Sequence, residues 1–134
     1  MLFTALKLPF LPTFNDLQFK VKTRLDAKNE LTFIALGDLD QNELNLDIKN
    51  PDEQQTYILG QLPDNNQWSY TLGAVYKHFR ESSYQTIVVS RSQLSNTATK
   101  YLDNDESSES NKILDYTSQE VENKIRFENN MRMD

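Results

Sequence analysis

The sequence predicts an α+β domain: an antiparallel sheet of five or six strands, with a sandwich as the variant, carrying two helices and completed by a partner subunit. Three observations lead there. Period-two alternation dominates the first half, apolar stripes at helical spacing occur at residues 68–79 and again towards the C terminus, and a strand apolar on both faces lies between them. The 134 residues read as a single domain, 1–134, large enough to bury roughly two-thirds of the surface its unfolded chain exposes.

Residues 1–13 are apolar, but Pro9 and Pro12 interrupt them, and the run is far shorter than the roughly 20 residues of a membrane span. They are expected to be a lead-in segment packed on the domain, neither a targeting signal nor a span. Leu17, Phe19, Val21 and Leu25 then face one way and Gln18, Lys20, Lys22 and Arg24 the other, a half-buried strand. Residues 26–30 turn the chain into 31–36, which is apolar on both faces, stops at Gly37 and therefore wants cover on both sides. Leu44, Leu46 and Ile48 alternate with Asn45, Asp47 and Lys49 as a third strand that ends at Asn50-Pro51. Residues 55–60 read as a fourth, closed by the turn residues of 62–66.

Trp68, Leu72, Val75, Tyr76 and Phe79 make one stripe at 3.6 residues per turn and predict a helix over 68–79, with Gly73 at a close contact. Residues 84–90, apolar over Ile87, Val88 and Val89, are a fifth, central strand. From 93 to 111 the composition turns to serine, asparagine, threonine and acid, which predicts a mobile insertion. Leu114, Thr117, Val121 and Ile125 then predict a closing helix starting near 111 or near 118, where Thr117-Ser-Gln-Glu120 matches a capping box.

Net charge is −6, and residues 38–64 hold seven acidic residues and one lysine. Such a chain repels phosphate backbones, so nucleic acid is not an expected ligand. Cysteine is absent, which removes disulfides, thiolate zinc sites and cysteine nucleophiles. With no Asn-x-Ser/Thr sequon either, cytoplasm or nucleus is the expected compartment, without membrane contact.

The lone His78 has no second histidine with which to share a metal or a proton and reads as structural. Asp38, Asp40 and Asn42 have the first spacings of a calcium loop, but Glu43 stands where glycine is needed and Lys49 where the closing glutamate belongs. Paired carboxylates such as Asp52/Glu53 lack the apolar surroundings that would raise a pKa for acid–base work. Three glycines make no phosphate loop, and Pro9-Phe-Leu-Pro12 is only a minimal proline-rich pattern. The expectation is a protein without catalytic residues, cofactor or metal.

Two helices can cover about one face of a five- or six-stranded sheet. The strands at 31–36 and 85–90 want more, so either the sheet folds over itself or a partner protein supplies a layer. The residues expected at that partner surface are Phe19, Val21, Phe33, Tyr57, Ile87 and Val89. Lys20, Lys22 and Arg24 add a basic ridge about 13 Å long for an acidic surface or a phosphoinositide headgroup.

Over residues 56–130, Ile58-Leu-Gly60, Thr71-Leu-Gly-Ala-Val-Tyr-Lys-His-Phe-Arg80, Gln85-Thr-Ile-Val-Val-Ser90 and Val121-Glu-Asn-Lys-Ile-Arg126 follow one another. This succession resembles the proteasome assembly chaperone 4 family, the small subunits of a heterodimeric chaperone, although the acidic insertion departs from the pattern. The resemblance implies a non-catalytic chaperone that pairs with a related small subunit, proteasome assembly chaperone 3. It also implies that the pair binds an α subunit of the 20S proteasome, α5, and promotes α-ring assembly. The alternative from another class is a pleckstrin-homology-like adaptor using the Lys20/Lys22/Arg24 ridge, a fold that needs about seven strands before one helix. A small enzyme is a third reading, and no convergent titratable pocket is legible for it.

Overall fold

The computed structural model describes residues 8–131. It consists of five long strands, β1 (Phe10–Arg24), β2 (Asn29–Leu44), β3 (Asp64–Phe79), β4 (Ser83–Tyr101) and β5 (Lys112–Met131), with one helix, α1 (Glu53–Gln61), between β2 and β3. The strands lie in sequence order in one sheet, an antiparallel meander. Of the predicted lead-in segment, residues 1–7 lie outside the described residues, and Phe10 already belongs to β1.

The predicted α+β fold with two helices and a partner-completed sheet is corrected by this arrangement: one chain supplies all five strands, and a single nine-residue helix stands beside them. Residues 68–79 are the greater part of β3, not a helix. Their apolar residues fit both periods, but Tyr70, Leu72, Ala74 and Tyr76 also alternate with Thr71, Gly73, Val75 and Lys77. The stretch is rich in aromatic and β-branched residues, and Gly73 costs a helix about 1 kcal/mol. Pairing with both neighbouring strands decides between two periods that the segment alone leaves open.

The predicted closing helix is likewise strand β5. Val121, Asn123, Ile125 and Phe127 alternate without a break against Glu120, Glu122, Lys124 and Arg126, a period-two pattern stronger than the helical one. The reverse error occurs at 55–60, expected as a strand and found within α1. There the Asp52 side chain accepts from the Gln55 backbone N–H at 2.7 Å while Gln55 Oε1 accepts from the Asp52 N–H at 2.9 Å. That reciprocal box, with Glu53 in the first turn, satisfies the free donors of the helix start. The expected strand at 44–48 is a turn beyond the end of β2. Asn45 leaves the ladder because its amide donates to the Leu8 carbonyl at 2.8 Å and its N–H to that of Pro9 at 3.0 Å. Asn50, with φ 55°, then reverses the chain before Pro51.

Two compact units divide the chain. The first takes the described part of Met1–Asn15 with Asp38–Trp68 and Ser95–Gln119; the second takes Asp16–Gly37, Ser69–Leu94 and the described part of Glu120–Asp134. In the first, Lys100 reaches from β4 to the last turn of α1, donating to the Leu59 carbonyl at 2.6 Å and to Asn104 Oδ1. Residues 93–101 continue β4, and the acidic run after them is held by short-range bonds. Asp105 accepts from the Ser107 N–H at 3.0 Å and from the Asn111 amide at 2.9 Å. Lys112 lies 2.8 Å from Glu109 and 3.4 Å from Asp115, and Glu109 foremost holds its ammonium above the usual lysine range.

In the second unit the β1–β2 hairpin closes on Asp26, whose carboxylate accepts from the Lys28 N–H and the Asn29 amide, each at 2.7 Å. The Asn29 side chain first, and the Lys28 N–H second, hold the Asp26 pKa below 3.8. A carboxylate with a lowered folded pKa stabilises above its unfolded value and loses that contribution as pH falls through the folded one. Asp26→Ala is therefore expected to lower the melting temperature by a few degrees at neutral pH, and the gap to wild type should close below pH 3.8. Parallel melts across pH 2.5–7 check this; a gap that persists in acid rules out the carboxylate as its cause.

Candidate functional site

The sheet carries a large exposed apolar surface. Among the described residues no large hydrophobic side chain is buried, and the buried residues are Glu30, Thr32 and Thr86 in the second unit and Pro9, Asn45, Ser95 and Lys100 in the first. Because side chains alternate across a strand, ten of the exposed apolar residues of the second unit collect on one face, while Leu36, Phe79 and Tyr84 belong to the other. β1 contributes Leu17, Phe19 and Val21, β2 Phe33, β3 Leu72, β4 Ile87 and Val89, and β5 Val121, Ile125 and Phe127. Exposure rises from 41% at Val21 and Ile87 to 83% at Ile125. A groove of about 600 Å³ runs across the middle of this face, lined by Phe19, Phe33, Leu72, Val89 and Ile125 among others.

Polar side chains frame the face at both ends. At one, Arg91 donates to the Tyr70 hydroxyl at 3.2 Å and to Asn123 Oδ1 at 3.2 Å, and Tyr70 donates to Gln93 at 3.1 Å. At the other, Asn29 Oδ1 accepts from the Tyr76 hydroxyl at 2.5 Å and lies 2.8 Å from His78 Nδ1. An apolar centre inside a hydrogen-bonded rim containing tyrosine and arginine is the anatomy of a protein–protein interface. Five strands about 4.8 Å apart and six or seven residues deep give a patch of about 500 Å², at the size where exposed apolar surface marks a binding site.

The structure brings together Phe19, Val21, Phe33, Ile87 and Val89 on this face. Tyr57 belongs to the first unit, where it is exposed on α1. Lys20, Lys22 and Arg24 project from the opposite face of β1, where Lys22 lies 2.9 Å from Glu30. Leu72, Val121, Ile125 and Phe127 were not among the expected partner residues because their segments read as helical. The alternation of 120–127 was the available signal.

Asp38, Asp40 and Asn42 stand on one face of β2, in a strand and not a loop. Among the described residues no group of three or more histidine, aspartate or glutamate side chains is placed to hold a metal ion, and no helix is long and apolar enough to cross a membrane.

Fold and face together define a class: an open-faced, all-β meander whose most developed surface is an apolar sheet face. Comparison with protein families, with curated proteins and with solved structures finds no match to this chain.

Proposed function

We propose that the protein is a non-catalytic binding module that holds another protein against the apolar face of its second unit, in the cytoplasm or nucleus. One observation carries the reading: ten exposed apolar residues from five strands share a face framed by Tyr70, Arg91, Tyr76 and His78, while no large hydrophobic residue of the described chain is buried. Water in contact with that face is released when a partner covers it, at about 25 cal/mol per Å² of apolar area. Association is therefore driven by burial, with the polar rim setting register.

The proteasome-chaperone form of this proposal drew on a helix, a strand and a helix in order. The residues concerned form β3, β4 and β5, so the proposal stands on the face and on no particular partner. A Val89→Cys chain, whose thiol is its only one, tests it. A partner isolated on the wild-type chain, then purified, should slow thiol labelling at residue 89 by about tenfold or more. Labelling of Ser82→Cys, in the β3–β4 turn, should not change. Equal labelling at residue 89 with and without partner removes the face from the binding site.

A further inference from the structure

We infer that two copies of the chain join edge to edge through β5, antiparallel about a two-fold axis that passes through Asn123 normal to the sheet. Among the described residues β5 is an outer strand of the meander with a strand neighbour on one side only. An open edge of this kind is a template for strand addition. Residues 119–127 are all exposed, and neither proline nor glycine interrupts Lys112–Met131. The opposite edge is built differently. β1 contains Pro12, which has no N–H to donate, and Lys20, Lys22 and Arg24 along one face, so two β1 strands repel.

The charges of β5 specify the partner. Glu120, Glu122, Lys124 and Arg126 follow one another on one face, two acids and then two bases, a series complementary to itself read backwards. With Asn123 on the axis, Glu120 of each copy lies opposite Arg126 of the other and Glu122 opposite Lys124. On the other face Val121 lies opposite Ile125, and only Asn123 meets itself. Moving the axis to residue 122 sets Glu122 against Glu122. Moving it to 124 sets Lys124 against Lys124 and Glu120 against Glu128. Directly opposed residues of antiparallel strands share a face, so the register that matches the charges also joins the two apolar faces into one surface. In the single chain Lys124 pairs along the strand with Glu122 at 2.7 Å and Arg126 with Glu128 at 3.1 Å. These exposed contacts exchange for cross-strand ones on pairing.

A head-to-tail alternative is disfavoured by the strand count. β1 and β5 run the same way, being the first and fifth strands of an antiparallel meander. Joining β5 to β1 of the next copy with apolar faces aligned would need the less stable parallel pairing and would not close.

The cysteine-free chain makes the test direct. In full-length protein, Asn123→Cys should give a covalent dimer on mild oxidation or with a short bis-maleimide, because opposed residues stand about 5 Å apart at Cβ. Val121→Cys and Ile125→Cys should each stay monomeric on oxidation, their thiols being about 13 Å from their own copies, and should cross-link when mixed. Glu122→Lys should weaken self-association about tenfold or more by opposing like charges, and Glu122→Lys with Lys124→Glu should restore it. Sedimentation equilibrium of the variants reads both effects. A chain that stays monomeric at all concentrations, cross-linking at 121 or 125 alone exceeding that at 123, failure of the double variant to recover, or filaments would each overturn the proposal. The Glu122 and Lys124 variants lie on the opposite face of β5 from Val121 and Ile125, so their effect on self-association is read separately from binding at the apolar face.

Discussion

Val89→Glu is expected to lower affinity for the protein bound on the apolar face by about a hundredfold while the isolated chain keeps its melting temperature within about 5 °C. The asymmetry follows from what surrounds the side chain in each state. In the chain alone Val89 is 42% exposed, so a carboxylate placed there stays hydrated, and the change costs at most the roughly 1 kcal/mol span of strand propensity. In the complex the same carboxylate sits near the middle of a covered apolar patch beside Phe33 and Leu72, and Arg91, two residues along β4 on the same face, is held by the Tyr70 hydroxyl and Asn123. Burying an unpaired charge is opposed by several kcal/mol, and about 3 kcal/mol is a hundredfold in affinity. Calorimetric titration gives the affinity and a thermal melt the stability. A variant that binds as tightly as wild type would sink the face reading, and a collapse of the melting temperature would mean that the chain itself buries this residue. Arg91→Ala on the rim should cost less, because rim contacts fix register more than they bind.

Lys100→Met is expected to destabilise the first unit by about 2 kcal/mol, a fall of about 5–10 °C in its melting temperature. α1 buries none of its residues and has no basic residue in its last turn, so packing and its own charges contribute little there. Its Leu59 carbonyl is satisfied from outside, by Lys100 at 2.6 Å and by Asn104 at 3.2 Å. A cation at that end also opposes the negative pole of the helix dipole. Methionine keeps the stem and removes the donor, leaving the Leu59 carbonyl with the Asn104 amide alone.

The pH dependence distinguishes this role from packing. Burial holds the Lys100 pKa below 10.5, partly offset by Asp64. Between the lowered value and 10.5 the unfolded chain binds more protons than the folded one, so stability contributed by this group rises with pH across that window. The gap between wild type and Lys100→Met should therefore widen as pH approaches 10.5, and a constant gap would mean that ionisation of Lys100 takes no part in it. Amide exchange in residues 53–61 should accelerate in the variant before exchange elsewhere in the first unit does.

The parts of the fold that were legible are those where one period alone fits. Leu17, Phe19 and Val21 against Gln18, Lys20 and Lys22 admit only a strand, and so does the β-branched run at Ile87, Val88 and Val89. The errors fall where two periods fit the same residues. Trp68, Leu72 and Tyr76 are four residues apart, which is a helical turn and also an even step along a strand. Val121 and Ile125 share that ambiguity. A segment of this kind is settled by its neighbours: β3 is hydrogen-bonded on both sides, and a helix there would leave the ladders of β2 and β4 unpaired. In α1 the local signal was present, in Asp52 and Gln55 three residues apart, but the apolar Tyr57, Ile58 and Leu59 drew the reading to a strand.

For the binding face, five of the nine expected partner residues lie on it, all five from strands that were read as strands. The basic ridge was correctly set on the other side of β1 by alternation alone. What lay beyond reach was the contribution of β3 and β5, because a residue's face has no meaning until its element is known.

By itself, the sequence determined an acidic, cysteine-free chain, the alternation that separates Phe19 and Val21 from Lys20 and Lys22, and the strand character of the segments around Phe33 and Ile87. Those are local properties, set by composition and by the geometry of two or three neighbouring residues. Tertiary structure decided the rest: that residues 68–79 and 112–131 are strands, that among the described residues one α-helix and not two accompanies the sheet, and that ten apolar side chains from five strands share a single face. The physical reason is that a strand is stabilised by backbone partners far away in sequence. Ladder bonds from both neighbours outweigh a local preference worth a few tenths of a kcal/mol per residue, and no pattern within the segment records that they will form.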